Sequence, residues 1–163
     1  MVVLGIDPGL ATIGWAVVEK SGRENKIIDY GTITTPAGGK LPVRLLDISK
    51  ALDILIDRFN PDAAAVEELF FNKNVKTALT VGHARGVILL SLAKRGLTLY
   101  EYTPLQVKQA VVGYGRADKN QVQQMVKMLL KLREIPKPDD AADAVAVALC
   151  HINSSGFIGT YNI

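Results

Sequence analysis

The sequence predicts an α/β fold in which a mixed five-stranded sheet carries helices on both faces. The chain opens with three apolar, β-branched runs separated by turns, and it continues with helical apolar spacing interrupted by two further short apolar runs. Hydrophobic residues make up 48% of the 163 residues, which suits one compact core. Strands joined by turns pair antiparallel and strands joined through helices pair in parallel, so the sheet should be mixed.

The first 35 residues predict an antiparallel meander of three strands. Residues 2–6 (VVLGI) form a buried run that stops at the turn Asp7-Pro8-Gly9. Residues 13–18 (IGWAVV) and 26–35 (KIIDYGTITT) supply the second and third strands, on either side of a polar turn.

The middle of the chain alternates helices with strands. Apolar residues recur every three or four positions over 41–59, which predicts an amphipathic helix ending at Asn60-Pro61-Asp62. Residues 63–66 then form a short strand. A helix is expected over 75–94, stopped at Gly96, and residues 97–102 (LTLYEY) form the fifth strand.

Three helices should complete the chain. Thr103-Pro104 is typical of a helix start, with a capping hydroxyl followed by proline in the first turn. Asp118 should cap a second helix running to Leu132, and Pro138 should open the last one, through about His151. The tail from Asn153 is expected to fray.

Composition excludes several classes of protein. No apolar run approaches the roughly 20 residues of a membrane helix, and the first residues lack the basic segment of a signal peptide. Cys150 is the single cysteine, so neither an internal disulfide nor a cysteine metal cluster can form, and a buried thiol is expected. We therefore expect a cytoplasmic chain that does not bind membranes.

The formal net charge of +3 is unevenly distributed. Residues 1–68 carry a net −3, residues 69–137 a net +9 and residues 138–163 a net −3. A block of +9 within one domain is typical of a surface that binds nucleic acid phosphates, although basic helix faces can also simply be solvated.

Two acids follow short buried strands. Asp7 ends the first strand and Glu67 follows residues 63–66, and if these strands are parallel neighbours both carboxylates emerge at the sheet edge where open α/β sheets bind ligands. Glu68 should point to the opposite face. The alternatives are that Asp7 caps the Pro-Gly turn and that Glu67 faces solvent.

A third group of acids begins the last helix. Asp140 and Asp143 are three residues apart and Asp139 and Asp143 four, so either pair shares a helix face and spacing does not choose between them. Acids in a first helical turn also complement the helix dipole, which explains Asp139 and Asp140 better than Asp143 among its alanines.

Four clustered carboxylates would repel one another unless cations neutralise them. Carboxylate oxygens suit Mg²⁺, and Mn²⁺ is expected to substitute for it. Two such ions about 4 Å apart can activate a water and stabilise the leaving oxygen of a phosphodiester. Together with the basic block, this predicts metal-dependent hydrolysis of nucleic acid.

Five stretches resemble the RuvC family of Holliday junction resolvases, in order and across nearly the whole chain. They are GIDPGLATIGWAVV, AAAVEELFFNKN, ALTVGHARGV, QVKQAVVGYGRADKNQVQQMVKMLL and DDAADAVAVALCH. The resemblance implies a ribonuclease H-like fold and a homodimer that nicks four-way DNA junctions in recombination and repair, with Mg²⁺, beside a branch-migration helicase. It places the four catalytic, metal-binding carboxylates on Asp7, Glu67, Asp140 and Asp143, and so selects Asp140 over Asp139.

The resemblance also implies DNA-binding positions. Phe70 is favoured over Phe71 as an aromatic that stacks on an unpaired base at the junction, and Lys108 and Lys119 match lysines used in junction processing. Weaker candidates for phosphate contacts are Lys73, Lys76, Arg85 and Arg116. His151 could assist only through another residue, because a metal site needs no histidine base.

There are three alternative functions, of which a non-catalytic nucleic-acid module on the same fold is disfavoured by the presence of all four acids. A nuclease of broader specificity on the same ribonuclease H-like fold would also cut linear duplex. An actin-like or sugar-kinase-like ATPase also uses a strand, turn and strand resembling GIDPG, but it needs two such domains and this chain is too short. For the junction nuclease, the helix over 75–94 is the expected dimer surface.

Overall fold

The computed structural model describes residues 1–69 and 75–154, without the side chain of Lys76. The described strands are β1 (Val2–Asp7), β2 (Thr12–Ser21), β3 (Glu24–Thr34), β4 (Ala63–Glu67) and β5 (Thr98–Tyr102). The described helices are α1 (Leu41–Phe59), α2 (Val75–Lys94), α3 (Pro104–Val112), α4 (Lys119–Leu129) and α5 (Asp139–Ser154).

The five strands form one mixed sheet in the order β3-β2-β1-β4-β5. β1 pairs antiparallel with β2, and β2 with β3, as expected for a meander. β4 pairs in parallel with β1 on one side and with β5 on the other. The predicted mixed sheet is confirmed, and β1 is central to it.

Helices cover both faces of the sheet, and each face has its own core. Strand pleating sends alternate residues to opposite sides: Val3 packs beneath α5, α3 and α4, whereas Leu4 and Ile6 pack beneath α1 and α2. All of these side chains are buried. The sheet edge where β1 and β4 end therefore lies between two packed layers.

Helix α5 lies close to the sheet because small residues face each other across the contact. Ala144 and Ala148 of α5 are fully buried. A Cβ atom added at Gly5 of β1 would lie 2.3 Å from the Ala144 carbonyl oxygen and 2.7 Å from the Ala148 amide nitrogen. The alanine-rich sequence of α5 thus brings its backbone directly against β1.

Local sequence signals explain where α3 and α4 begin. Thr103 and Gln106 form a capping box at the start of α3, and Asp118 and Gln121 form another at the start of α4. Helix α4 ends at Leu129, not Leu132, because Lys131 adopts the left-handed conformation with φ 52°.

Helix α5 extends through Ser154, so Asn153 and Ser154, where fraying was expected to begin, are helical. The rest of the predicted frayed tail lies outside the described residues. The Cys150 thiol is buried, as predicted, and its burial raises its pKa to about 12. Within residues 1–69 and 75–154, no helix is long and apolar enough to cross a membrane.

Candidate active site

Asp7 and Glu67 are side by side at the ends of the two central parallel strands. Ile6 and Val66, the residues before them, are register partners, and the two carboxyl groups share a hydrogen bond. Burial, together with the negative charges of Glu67, Asp143 and Asp140, raises the pKa of Asp7 from 3.8 to about 8. The expected convergence of these two strand ends is confirmed by the register.

The same forces act on Glu67. Burial and the charge of Asp143 raise its pKa from 4.5 to about 7. The Asp7 hydrogen bond and the positive charges of Lys108 and Lys119 act in the opposite direction. Asp7 and Glu67 therefore retain protons at neutral pH, where two solvent-exposed acids would be ionised. Such a site favours the binding of a cation in place of these protons.

The first turns of α5 bring Asp140 and Asp143 to the same edge. Both carboxylates contribute to the raised pKa of Asp7, which places their charges within electrostatic reach of it. Their neighbours Ala141, Ala142 and Ala144 are buried against the sheet, so the helix cannot rotate its acids away without exposing that face. The structure thus gathers all four predicted carboxylates.

Asp139 takes a different environment. Its Oδ1 accepts hydrogen bonds from Lys137 Nζ at 3.1 Å and Gln123 Nε2 at 3.3 Å, and its Oδ2 lies 3.6 Å from Lys119 Nζ. The Lys137 hydrogen bond is the largest cause that lowers its pKa. The charge of Asp139 is therefore balanced by neighbouring lysine side chains, whereas the charge of Asp140 raises the pKa of Asp7.

Two lysines and two of the carboxylates line a cavity of about 230 Å³. Its lining residues are Glu67, Pro104, Val107, Lys108, Lys119, Val122, Asp143 and Ala146. Lys119 Nζ donates to Asp143 Oδ2 at 2.9 Å. Partial burial works to lower the pKa of Lys119, but the hydrogen bond and charge of Asp143 outweigh it and raise that pKa.

The donor set of this cavity edge fits a hard divalent cation. Four carboxylates, two of them with raised proton affinities, offer oxygen ligands and an excess of negative charge. Within residues 1–69 and 75–154, no three acidic, histidine or cysteine side chains already stand in position to hold a metal ion. Asp143 Oδ2 instead accepts a hydrogen bond from Lys119, so a cation bound by this oxygen would have to displace that ion pair.

Only some of the remaining predicted DNA-binding residues lie within the described part of the chain. Arg116 lies in the turn between α3 and α4, three residues before Lys119. Lys76 lies in the first turn of α2, but its side chain is not described. Phe70, Phe71 and Lys73 lie outside the described residues.

Arg85 and His151 have structural partners. Arg85 forms a largely buried ion pair with Glu101 of β5, so its expected phosphate contact is not favoured. His151 is 5% exposed and its Nδ1 lies 2.8 Å from the Tyr102 hydroxyl. Burial lowers the pKa of His151, which indicates a neutral core histidine.

One polar residue beside the site was not anticipated. Gln123 of α4 is only 8% exposed, and its amide holds Asp139. Lys119 and Gln123 are four residues apart and so share a face of α4. That spacing is the sequence signal that could have identified Gln123.

Comparison with known proteins identifies the family. The family model for the crossover junction endodeoxyribonuclease RuvC matches residues 3–151. A RuvC protein of Alkaliphilus oremlandii is 58% identical over 100% of this chain and 99% of its own length, and one from Finegoldia magna is 61% identical over 96% of each. The chain belongs to the RuvC family.

Solved RuvC structures share the whole fold. The Thermus thermophilus RuvC structure superposes with a TM-score of 0.91 at 36% identity and covers 100% of both chains. The same protein in complex with a Holliday junction substrate gives a TM-score of 0.90 at 35% identity over 99% of both chains. The ribonuclease H-like fold expected from the sequence is thereby confirmed.

Proposed function

We propose that this chain is a Holliday junction resolvase, an endonuclease that hydrolyses phosphodiester bonds in opposed strands of four-way DNA junctions during recombination and repair. The observation that carries the proposal is the convergence of Asp7, Glu67, Asp140 and Asp143 beside two lysines at one sheet edge. Membership in the RuvC family supports the substrate, since a relative has been solved with a Holliday junction.

The four carboxylates are the proposed ligands of two Mg²⁺ ions, for which Mn²⁺ is expected to substitute. When bound, such ions neutralise charge at the attacked phosphate and lower the pKa of an attacking water. Asp7 and Glu67 must give up their protons to act as ligands, because a protonated carboxyl binds cations poorly. The pKa of each is near or above 7, so binding should strengthen as pH rises.

Lys108 and Lys119 are the proposed phosphate ligands of the site. Both line the cavity with Glu67 and Asp143, so a phosphate held by their ammonium groups would lie next to the carboxylates. Lys119 donates one hydrogen bond to Asp143, and its ammonium group has further N–H donors for a phosphate oxygen. Arg116, in the nearby turn, could extend the basic surface along a DNA arm, as could Lys73 and Lys76, while Phe70 is the proposed stacking residue.

We infer that the active form is a homodimer built on α2. The exposed residues Val75, Leu79, Gly82, Gly86 and Leu90 repeat at spacings of three and four, so they form one apolar seam along the helix. Val75, Leu79 and Leu90 are 84%, 63% and 55% exposed in the single chain. A two-fold dimer would present two sites to the two equivalent strands of a junction. A branch-migration helicase is the expected further partner.

The decisive experiment measures cleavage of a synthetic four-way junction in Mg²⁺ by the purified chain and by Asp7→Asn. We expect the wild type to nick opposed strands symmetrically, and Asp7→Asn to lose cleavage at least about 100-fold, on the order of the loss for a misplaced catalytic group, while still binding the junction. Cleavage that persists in EDTA would contradict metal dependence. Equal cleavage of linear duplex would identify a nuclease of broader specificity.

The dimer is tested separately by sedimentation of the wild type and Leu79→Asp. A charge within the seam should produce monomers, whereas Ile54→Asp, which adds the same charge at a 65% exposed position of α1 away from the seam, should leave the assembly unchanged. Phe70→Ala should lose cleavage far more than junction affinity, and unchanged nicking by this variant would remove the stacking role.

A further inference from the structure

Gly14 of β2 contacts the backbone of the helix turn that carries two of the site carboxylates. It is the register partner of Asp7 in β1. A Cβ atom added at Gly14 would lie 1.9 Å from the Asp140 carbonyl oxygen, 2.5 Å from its carbonyl carbon and 3.2 Å from the Ala141 nitrogen. One position therefore touches two elements of the site at once.

Gly14 is required by space and not by backbone conformation. The described glycines with positive φ are Gly22, Gly96 and Gly113, whereas Gly14 has strand geometry that any residue adopts. Strand positions ordinarily favour larger β-branched residues. The close approach of α5 is thus the physical reason that a side chain is excluded here.

We propose that Gly14 is a positioning residue that sets how closely the first turn of α5 approaches β2, and with it the separation of Asp140 and Asp143 from Asp7, the register partner of Gly14, and from Glu67. The role rests on the proposed function, in which these four carboxylates hold divalent cations. It adds a residue without a side chain to the determinants of cation affinity.

The contact cannot be relieved cheaply. The atoms in the way belong to the helix backbone, so no side-chain rotation removes the overlap. Gly14 is also paired on both sides within the sheet, with Asp7 and with Thr32. A methyl group needs more than about 3 Å from a carbonyl oxygen, so the first turn of α5 has to retreat by about 1 Å.

A displacement of the first turn of α5 by about 1 Å should weaken cation binding more than DNA binding. Metal–ligand distances tolerate deviations of only about 0.2 Å, and Mg²⁺ demands near-ideal geometry. Lys108 on α3 and Arg116 before α4 are not carried by α5. We therefore expect cation affinity to fall while the affinity for junction DNA changes little.

The test measures Mn²⁺ binding to the full chain by calorimetry at pH 8, without DNA, for the wild type and Gly14→Ala. We expect the variant to bind Mn²⁺ at least tenfold more weakly. Its affinity for a four-way junction in EDTA should remain within twofold of wild type. Mn²⁺ affinity equal to that of the wild type would overturn the role of Gly14.

Leu52→Ala is the control for lost stability alone. Leu52 is fully buried in α1 on the opposite face of the sheet, so its truncation lowers the melting temperature without contacting α5. We expect its Mn²⁺ affinity to stay within twofold of wild type. A loss as large as that of Gly14→Ala would show that instability explains both variants and would refute the proposal.

A second variant decides the matter if Gly14→Ala does not fold. Gly5→Ala presses on the same helix at Ala144 and Ala148, so it should also weaken Mn²⁺ binding, and unchanged affinity in the folded variant would refute the proposal. A wild type that binds no Mn²⁺ would instead refute the proposed function. The two failures are therefore distinguishable.

Discussion

Replacing Asp7 by asparagine should stabilise the metal-free protein while it abolishes catalysis. Burial and three neighbouring carboxylates raise the pKa of Asp7 from 3.8 to about 8. The folded state thus holds a proton that the unfolded state releases, so stability falls as pH rises from about 4 to about 8. The asparagine side chain of the variant would carry no such charge, and its amide could still donate to Glu67.

The size of the effect follows from that pKa difference. Each tenfold change in proton affinity corresponds to about 1.4 kcal/mol, so the penalty for ionised Asp7 reaches on the order of 5 kcal/mol above pH 8. Part of it persists in the variant, because the asparagine amide must still be buried at a cost of about 1 to 3 kcal/mol. We expect Asp7→Asn to gain about 2 to 4 kcal/mol in free energy of unfolding at pH 8.5.

Urea unfolding in EDTA at pH 4 and pH 8.5 measures this gain directly. At pH 4 Asp7 is protonated in the folded state and the ionisation penalty is absent, so Asp7→Asn should be about 1 to 3 kcal/mol less stable than the wild type because of its buried amide. Adding Mg²⁺ at pH 8.5 should stabilise the wild type much more than the variant. A variant that is no more stable than the wild type in EDTA at pH 8.5 would refute the electrostatic reasoning.

Three further perturbations test single contacts. Lys119→Met should bind Mn²⁺ several-fold more tightly in the absence of DNA, because the substitution removes the partner of Asp143. Lys137→Met, which removes a partner of Asp139, is the control and should leave Mn²⁺ affinity unchanged. Calorimetry measures both affinities, and weaker binding by Lys119→Met would contradict competition between Lys119 and the cation for Asp143. Thr103→Ala should lose about 1 kcal/mol of unfolding free energy in urea with the α3 capping box. Tyr102→Phe should lose about 1 to 3 kcal/mol of unfolding free energy in urea, because the buried Nδ1 of His151 loses its hydrogen bond to the tyrosine hydroxyl. Unchanged stability would show that this hydrogen bond does not stabilise the fold.

The prediction from sequence succeeded where local chemistry is decisive. The caps at Thr103 and Asp118 mark the starts of α3 and α4 because their side chains bond backbone amides within three residues. The carboxylates at Asp7 and Glu67 could be placed at one edge because each follows a short apolar strand. The end of α4 was missed because Lys131 takes a left-handed conformation that its residue type does not favour.

The choice between Asp139 and Asp140 could not be made from helical spacing. Helical spacing allows both, and family resemblance selects Asp140. The structure adds the physical difference, since Asp139 is held by Lys137 and Gln123 while Asp140 raises the pKa of Asp7. Similarly, Arg85 looked like one basic residue among twelve in its block until the fold paired it with Glu101.

The sequence by itself determined the order of elements, the family and the four acids of the candidate site, because periodicity, caps and motifs are recorded along the chain. Only the tertiary structure decided which charges are neutralised by a neighbour, as Asp143 is by Lys119. It also decided that Gly14 must lack a side chain, since the obstacle is backbone more than 120 residues away. These properties depend on distances between elements, and a sequence does not contain distances.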